Sequence, residues 1–402
     1  MNNQKSKYKN NKGITLIALI ITIVVLLILA VVAIGAVTND GIINYAKNAR
    51  EEYGKSGVNE NTTLEGYFNK IEDNLPITIE EAMQPKMLTK TVNSDATDKY
   101  GNKIVIPAGF KIIADDTTGY TKETIDVTKG IVIEDSQGNQ FVWVPVENVY
   151  YSETEYKTIT LGRYVNFTAN SKGEYVPSQT ATDYATATLI GEYYTEHTEA
   201  NHDKEVYKNE IAADIGAFVT SAIKKGGYYI GRYEAGDGVA TYARTDSTSD
   251  ENTVVCKAGQ YVYNHVTQPQ ASSLSQNMYK DSKTFTSDLI NSYAWDTAIV
   301  FIQTFSTGTN ASNYANINNS KSLKKTGENM DGYCNIHDMS GNAQEWATET
   351  YSDASKHCVA RGGWYSTAVG GPSTVGTNYR SSATDTYSYY SISFRPLLYV
   401  VF

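Results

Sequence analysis

The chain has 402 residues and a formal net charge of −10, from 34 Lys and Arg against 44 Asp and Glu. An acidic chain with no clustered basic stripe excludes a nucleic-acid-binding surface. Its three cysteines are too few to form a disulfide framework, and its length exceeds a single average domain, so we expect more than one structural unit.

The first predicted element is a hydrophobic helix. Residues 14–37 contain no charged side chain, and the basic segment before them contains no acidic one. As a helix rising ~1.5 Å per residue, this run is long enough to cross a ~30 Å hydrocarbon core. Because basic segments stay in the cytoplasm, we expect a single-pass membrane helix with everything after residue 37 outside the cell.

The junction at the start of this helix reads Lys-Gly-Ile-Thr-Leu-Ile, with Gly13 at the boundary. It resembles the leader of type IV prepilins, which implies that prepilin peptidase removes residues 1–13 and leaves an N-methylated Ile14. Pilins usually carry Glu where this chain has Ala18, so assembly with other pilin subunits into a fibre stays open. A plain signal anchor and a secretory peptide cut at the small residues 33–36 are the alternatives.

Residues 38–102 are predicted to form a stalk. Apolar residues recur at helical spacing within 38–75, which favours short amphipathic helices, and a coil linker is the alternative. From residue 103 the pattern is that of strands: 103–106, 110–113, and a hairpin of 131–134 with 141–144. Surface loops are expected over 150–205, with helices ending at Gly226 and running from Leu289 to Phe305. The predicted class is therefore α+β.

Five short sequence words follow one another in the C-terminal part: GYYIGRYEA (227–235), AWDTA (294–298), NIHDMSGNAQEW (335–346), RGG (361–363) and SFR (393–395). Trp346 suits a core anchor, while Arg361 and Arg395 can fork onto carbonyls and carboxylates. Together the words resemble the formylglycine-generating-enzyme-like (sulfatase-modifying factor) domain, a variant of the C-type-lectin fold. The resemblance covers residues 130–402 and implies this fold for a large domain over 103–402.

The resemblance does not imply the enzymatic activity of that family. The formylglycine-generating members hold copper through a cysteine pair near the C-terminus, and residues 361–402 contain no cysteine. Iron-dependent relatives need a histidine cluster, and the five histidines here are scattered along the chain. We therefore expect no copper, no iron and no catalytic residue. Cys334 and Cys358 form either a disulfide or two buried thiols.

A structural calcium site is implied by the same resemblance. In that family the loop around the Gly-Asn-x-x-Glu-Trp word binds Ca²⁺, and the matching ligands here are Asp338, the carbonyls of Gly341 and Ala343, and Glu345. Two carboxylates with carbonyl oxygens between them suit this hard cation. The alternative is that both carboxylates accept hydrogen bonds from loop amides.

Residues 364–392 lie between the Arg-Gly-Gly and Ser-Phe-Arg words and consist almost wholly of Tyr, Ser, Thr, Asn, Gly and Ala. This is the composition of antibody binding loops, with aromatic anchors among small polar neighbours. It also resembles the diversified segment of diversity-generating-retroelement target proteins. The alternative is an ordinary polar loop in a chain with 32 tyrosines. The predicted ligand-binding residues are Tyr365, Ser366, Thr367, Asn378, Tyr387, Tyr389 and Tyr390.

The sequence thus predicts a pilin-like protein, anchored in the cell membrane or incorporated in a pilus. It displays a non-catalytic lectin-fold domain outside the cell, with a glycan or a protein as its surface ligand. Two rival functions stay open. One is a structural minor pilin without ligand, and the other is an oxygen-dependent modifying enzyme with a metal centre.

Overall fold

A computed structural model describes residues 16–34, 75–114, 125–164, 167–177, 182–184, 187–192, 215–245, 253–306, 322–328, 332–351, 358–365 and 376–401. Two compact units divide the chain, Met1–Glu72 and Asp73–Phe402. The described α-helices are α1 Leu16–Ile34, α2 Ile79–Ala82, α3 Ile215–Lys225, α4 Gln268–Asn277 and α5 Ser292–Phe305.

The strands are short and numerous, as expected of an α+β chain with much irregular structure. In chain order they are β1 Ile77–Thr78, β2 Ser94–Thr97, β3 Lys103–Ile106, β4 Phe110–Ile113, β5 Val132–Asp135, β6 Gln140–Pro145, β7 Asn148–Tyr150, β8 Tyr156–Thr158, β9 Thr182–Tyr184, β10 Ala187–Glu192, β11 Gly227–Gly231, β12 Gly236–Asp237, β13 Val254–Val255, β14 Tyr261–Val262, β15 Phe285–Leu289, β16 Gln344–Tyr351, β17 Cys358–Arg361, β18 Arg380–Ala383, β19 Ile392–Phe394 and β20 Pro396–Val400.

The first unit contributes α1, which contains no charged residue. Its side chains are described over residues 19–28, and most of the large apolar ones are about half exposed within this unit. No helix in the described part of the chain meets the length and apolarity required of a membrane span. Gly13, Ile14 and residues 38–74 of the predicted stalk lie outside the described residues.

The second unit begins with a small sheet in the order β1-β2-β3. Its β2 pairs antiparallel with β3, with Ala96 opposite Ile104, and both of these side chains are fully buried. The stalk predicted up to residue 102 would therefore have to end before Ile77. The strands before and after residue 102 share one sheet and one hydrophobic core.

The central sheet has the order β15-β20-β11-β6-β5-β4, and every neighbouring pair in it is antiparallel. The predicted strands 103–106 and 110–113 are confirmed as β3 and β4. The predicted hairpin is confirmed as β5 and β6, with Ile133 opposite Phe141. Its turn is closed by Asp135, whose Oδ1 accepts from the backbone N–H groups of Gln137 and Asn139, both at 2.8 Å.

Three helices pack on or beside these strands. The expected helix before Gly226 is confirmed as α3, which ends in two lysines followed by Gly226 at φ +76°, a conformation that suits glycine. The helix expected from Leu289 begins later, since residues up to Leu289 belong to β15 and Asn291 caps α5 through Ala294 N–H. The pattern gave no sign of α4, because this helix is mostly polar.

A second sheet has the order β18-β17-β16-β10-β9, and β19 pairs in parallel with β16. Small β7-β8 and β13-β12-β14 sheets complete the described strands. Trp143 and Trp295 lie in the larger hydrophobic cluster, while Trp346 and Phe394 lie in a smaller one. In the second sheet, β17 and β18 thus lie over a packed hydrophobic core.

Candidate ligand-binding site

Four tyrosines before and after β18 are exposed together on one surface. Tyr379, Tyr387, Tyr389 and Tyr390, which we call the tyrosine face, are 40%, 41%, 41% and 39% exposed. They border a groove of about 420 Å³. The remaining described residues that line the groove are Gln344, Ala360, Trp364, Ser381, Ser382, Ala383, Thr384, Ser391 and Ile392.

The aromatic rings of this surface contact one another in a row. The ring centroids of Tyr389 and Tyr390 lie 4.1 Å apart, and those of Tyr387 and Tyr389 lie 6.0 Å apart at 25° between planes. Tyr365 continues the row, with its centroid 6.0 Å from that of Tyr390. Such offset and tilted contacts are favourable geometries for aromatic pairs, and Tyr387, Tyr389 and Tyr390 each stay about two-fifths exposed.

The main chain beneath these rings is held by groups from elsewhere in the fold. Asn264 Nδ2 donates to the carbonyl of Tyr390 at 2.7 Å, and the N–H of His265 donates to the carbonyl of Tyr389 at 3.1 Å. The N–H of Gln344 in β16 donates to the carbonyl of Ser391 at 2.8 Å. Because the acceptors of these hydrogen bonds are main-chain carbonyls, the backbone conformation of the segment does not depend on its exposed side chains.

A buried ionic network fixes β17 and β18 to the rest of the domain. Arg361 donates to Asp296 at 2.6 Å and to Glu349 at 2.9 Å. Arg380 donates to Asp296 at 2.7 Å and also to Glu349. All four side chains are at most 1% exposed. This network joins α5, β16, β17 and β18 directly behind Tyr379, the residue before Arg380.

The predicted ligand-binding residues divide into four groups. Tyr387, Tyr389 and Tyr390 lie together on the exposed face. Tyr365 is only 8% exposed and lies behind Tyr390, because its N–H donates to the carbonyl of Asn342 and holds it inward. Asn378 is half-buried and is not among the residues lining the groove. Ser366 and Thr367 lie outside the described residues.

Sequence reasoning did not single out Tyr379, although it lies in the Tyr/Ser/Thr segment beside Asn378. It also missed Gln344, which the structure places in the groove floor from β16. Gln344 lies in β16, far from the tyrosines in the sequence, and only the order of the strands brings it to the groove.

The residues predicted to bind calcium lie in one buried turn before β16 and in its first residues. Asp338 has a positive φ of +66°, and its Oδ2 accepts from the N–H of Gly327 at 2.8 Å. Both oxygens of Glu345 accept from Arg395, at 2.9 Å from Nε and 2.6 Å from Nη2. Gly341 and Ala343 are buried in the same turn. A calcium ion here would therefore have to share Glu345 with a guanidinium.

A further carboxylate, Glu234, was not predicted and lies against the same turn. Glu234 is fully buried, its Oε1 accepts from Asn342 Nδ2, and its Oε2 has no hydrogen-bond partner among the described residues. Burial raises the pKa of Glu234 well above its usual range, and the neighbouring Asp338 and Glu345 raise it further. Burial therefore favours the neutral form of this carboxyl.

We expect Ca²⁺ to stabilise the large unit through this turn, and EDTA to lower the unfolding temperature of the full chain. A ligand that binds only the folded state adds about 2.7 kcal/mol at a hundredfold excess over Kd. Asp338→Asn should remove the sensitivity to EDTA, whereas Glu345→Ala is unsuitable because it also strips Arg395 of its partner. An unfolding temperature that EDTA leaves unchanged after exhaustive dialysis would contradict the calcium site.

Other reactive side chains in the described part of the chain are enclosed. No group of three or more His, Cys, Asp or Glu suited to a metal ion occurs among the described residues. Cys334 Sγ lies 3.3 Å from Ser306 Oγ, Cys358 is buried, and no disulfide joins them. Burial, with help from Arg232 and Arg395, lowers the pKa of His337 to about 3, and its imidazole stacks on Tyr233.

Comparison with known proteins identifies the N-terminal segment. Residues 8–34 match the prokaryotic N-terminal methylation motif. The chain carries a prepilin-type methylation motif. This motif spans the Lys12-Gly13-Ile14 junction and all of α1, and it implies processing by prepilin peptidase and association with a membrane or a pilus.

Solved structures show weak similarity to the chain. Variable protein 1 of Treponema denticola shares 13% identity, over 43% of this chain and 84% of that one, with a TM-score of 0.31. PvdO of Pseudomonas aeruginosa shares 11%, over 67% and 97%, with a TM-score of 0.33. The U1 variant of a major tropism determinant shares 12%, over 82% and 99%, with a TM-score of 0.26. TM-scores this low do not establish a shared fold. No curated protein matches the sequence.

Proposed function

We propose that the chain is a pilin-like surface protein that presents a non-catalytic, ligand-binding domain of C-type-lectin-like fold outside the cell. The observation that carries this proposal is the tyrosine face. Four neighbouring rings, each about two-fifths exposed, border a groove of about 420 Å³. Such a volume is within the range of about 300–1,000 Å³ for small-ligand sites, and tyrosines are frequent anchors in binding surfaces.

The scaffold beneath the face supports a display role. The RGG and SFR words contribute Arg361 and Arg395, both fully buried in ion pairs, and Trp346 and Phe394 fill the core between them. These are the positions on which the sequence resembles the lectin-fold family. The ion pairs and the aromatic core are buried, whereas the tyrosines are exposed. The residues that stabilise the fold are therefore different from those proposed to bind the ligand.

The methylation motif supports the anchoring part of the proposal. Its helix, α1, consists of apolar residues with a single threonine, and the described side chains are largely exposed within their own unit. An apolar surface of this kind needs a cover, which either lipid or neighbouring pilin helices would supply. The basic leader would remain cytoplasmic, so the large unit would lie outside the cell.

The experiment is adhesion of cells that display the full chain, with Tyr387, Tyr389 and Tyr390 replaced together by alanine. We expect adhesion to target cells and to glycan- or protein-coated surfaces to fall at least about 30-fold, because loss of an aromatic anchor alone can have an effect of this size. The unfolding temperature of the purified protein should stay nearly unchanged, since exposed positions seldom affect stability.

The matched control replaces three other exposed tyrosines, Tyr151, Tyr156 and Tyr242, which are 38%, 49% and 70% exposed and do not line the groove. This variant should adhere like the parent. If the triple variant of the tyrosine face also adheres like the parent, the ligand-free minor pilin becomes the better description. If it unfolds, the rings are part of the core and the proposed surface is wrong.

A further inference from the structure

The described residues that line the groove beside the tyrosine face are uncharged, and this property restricts the ligand of the proposed binding function. None of the described residues lining it is Lys, Arg, His, Asp or Glu. Asp385 lies in the adjacent turn and is not among the lining residues. Anionic ligands are typically held by cationic side chains, and cationic ones by carboxylates. The groove therefore favours an uncharged ligand.

Most of the polar side chains among the described residues lining the groove carry hydroxyls. Ser381, Ser382, Thr384 and Ser391 line it, and Gln344 supplies an amide. Each hydroxyl both donates and accepts, as an amide side chain also does. A polyol presents groups of this same dual kind. A proline-rich peptide presents backbone carbonyls and almost no hydrogen-bond donors. The acceptor oxygens of the groove would therefore have almost no donors to bind.

The aromatic part of the groove provides an apolar surface next to these hydroxyls. Tyr389 and Tyr390 contact each other at 4.1 Å between centroids, and Tyr387 stacks on Tyr389 at 25° between planes. Side-chain hydrogen bonding with Tyr365 and Tyr389 lowers the pKa of Tyr390. The groove thus places aromatic ring faces next to side-chain hydroxyls.

We propose that this groove binds a neutral saccharide, with the apolar face of one sugar ring stacked on the tyrosine face and its hydroxyls bonded to the serine and threonine side chains. The inference rests on the proposed function, for which it names the ligand class. A sugar ring combines an apolar face of C–H groups with hydroxyls at its edge, which matches the two kinds of surface in the groove. A volume of about 420 Å³ accommodates such rings.

The experiment is calorimetric titration of the full chain in a detergent without a sugar headgroup. The probes are the neutral hexasaccharides maltohexaose, cellohexaose, chitohexaose and mannohexaose, an anionic hyaluronan hexasaccharide, and a decaproline peptide. We expect at least one neutral probe to bind, and the anionic and proline probes not to bind. Tyr389→Ala should weaken that binding about 30-fold, while Tyr389→Phe, which keeps the ring, should weaken it less than about tenfold.

Tyr242→Ala is the matched control, since Tyr242 is exposed and does not line the groove; its Kd should equal that of the parent. The inference is overturned if no neutral probe binds at millimolar concentration, if Tyr389→Ala binds like the parent, or if only the hyaluronan or proline probe binds. The adhesion experiment is independent of this result. Adhesion that depends on the tyrosine face without saccharide binding would retain the proposed function and reject the saccharide.

Discussion

Replacing Asp296 with alanine should lower the free energy of unfolding by about 3–5 kcal/mol, the typical effect of removing one partner from a buried ion pair. Asp296 accepts from Arg361 at 2.6 Å and from Arg380 at 2.7 Å, and all three side chains are at most 1% exposed. Without Asp296, the buried guanidinium groups of Arg361 and Arg380 would have to share Glu349, which also pairs with Arg163. Denaturant titration of the purified chain measures the change.

The matched control is Glu134→Ala. Glu134 pairs with Lys111 at 3.6 Å, but both side chains are about one-quarter exposed. Solvent screens such pairs, so this change should lower the free energy of unfolding by less than about 1 kcal/mol. Equal losses in the two variants would mean that the Arg361 and Arg380 network contributes no more than a surface pair.

The same network should make the domain sensitive to acid. Burial alone would raise the pKa of Glu349, but Arg380, Arg361 and Arg163 outweigh it and hold this pKa at about 2, against 4.5 for an ordinary glutamate. A carboxyl with a lowered pKa contributes stability above the unfolded value, and this contribution is lost as the pH falls from 4.5 to about 2. Glu349→Gln should therefore have a flatter stability profile in that window.

Gly13→Ala should block removal of the leader completely. Residues 8–34 match the methylation motif, and glycine stands at the boundary between the basic segment and the apolar helix. The parent protein, isolated from cells with an active prepilin peptidase, should begin at N-methylated Ile14, while the variant should retain the leader. Mass spectrometry of the N-terminal peptide distinguishes the two forms.

The same measurement separates the alternatives at this end of the chain. An N-terminus at Val37 would indicate a secretory peptide cut after the small residues 33–36. A parent protein that retains residues 1–13 would indicate a plain signal anchor. Ala36→Val is a suitable control, because it removes a small residue from the secretory cleavage position and should leave prepilin processing unchanged.

Local patterns in the sequence were enough to place several elements. The strands 103–106 and 110–113 and the hairpin around Asp135 to Asn139 follow from alternation and turn chemistry, which act over a few residues. The N-terminal motif is equally local, and it matches a known family model. The exposure of Tyr387, Tyr389 and Tyr390 agrees with the polar composition around them.

The same local reasoning failed where a distant strand decided the conformation and where a helix had no apolar stripe. Leu289 was placed in a helix because apolar residues follow it at helical spacing, yet it pairs with Pro396 at the end of β15. Hydrogen bonds to β20 decide the conformation of 285–289, and this partner lies more than a hundred residues further along the chain. Helix α4 was missed because its polar sequence has no apolar stripe, while a Thr267 capping box starts it.

By itself, the sequence determined the α+β class, the prepilin-type motif and the segment that carries the exposed tyrosines. Only the tertiary structure decided which charges meet: Arg380 and Asp296 are 84 residues apart in the chain, and Arg395 and Glu345 are 50 apart. It also turned Tyr365 inward and brought Gln344 into the groove. The physical reason is that helices, turns and targeting motifs are specified by neighbours in sequence. Buried ion pairs and grooves depend on strands from distant segments that meet only in the folded sheet.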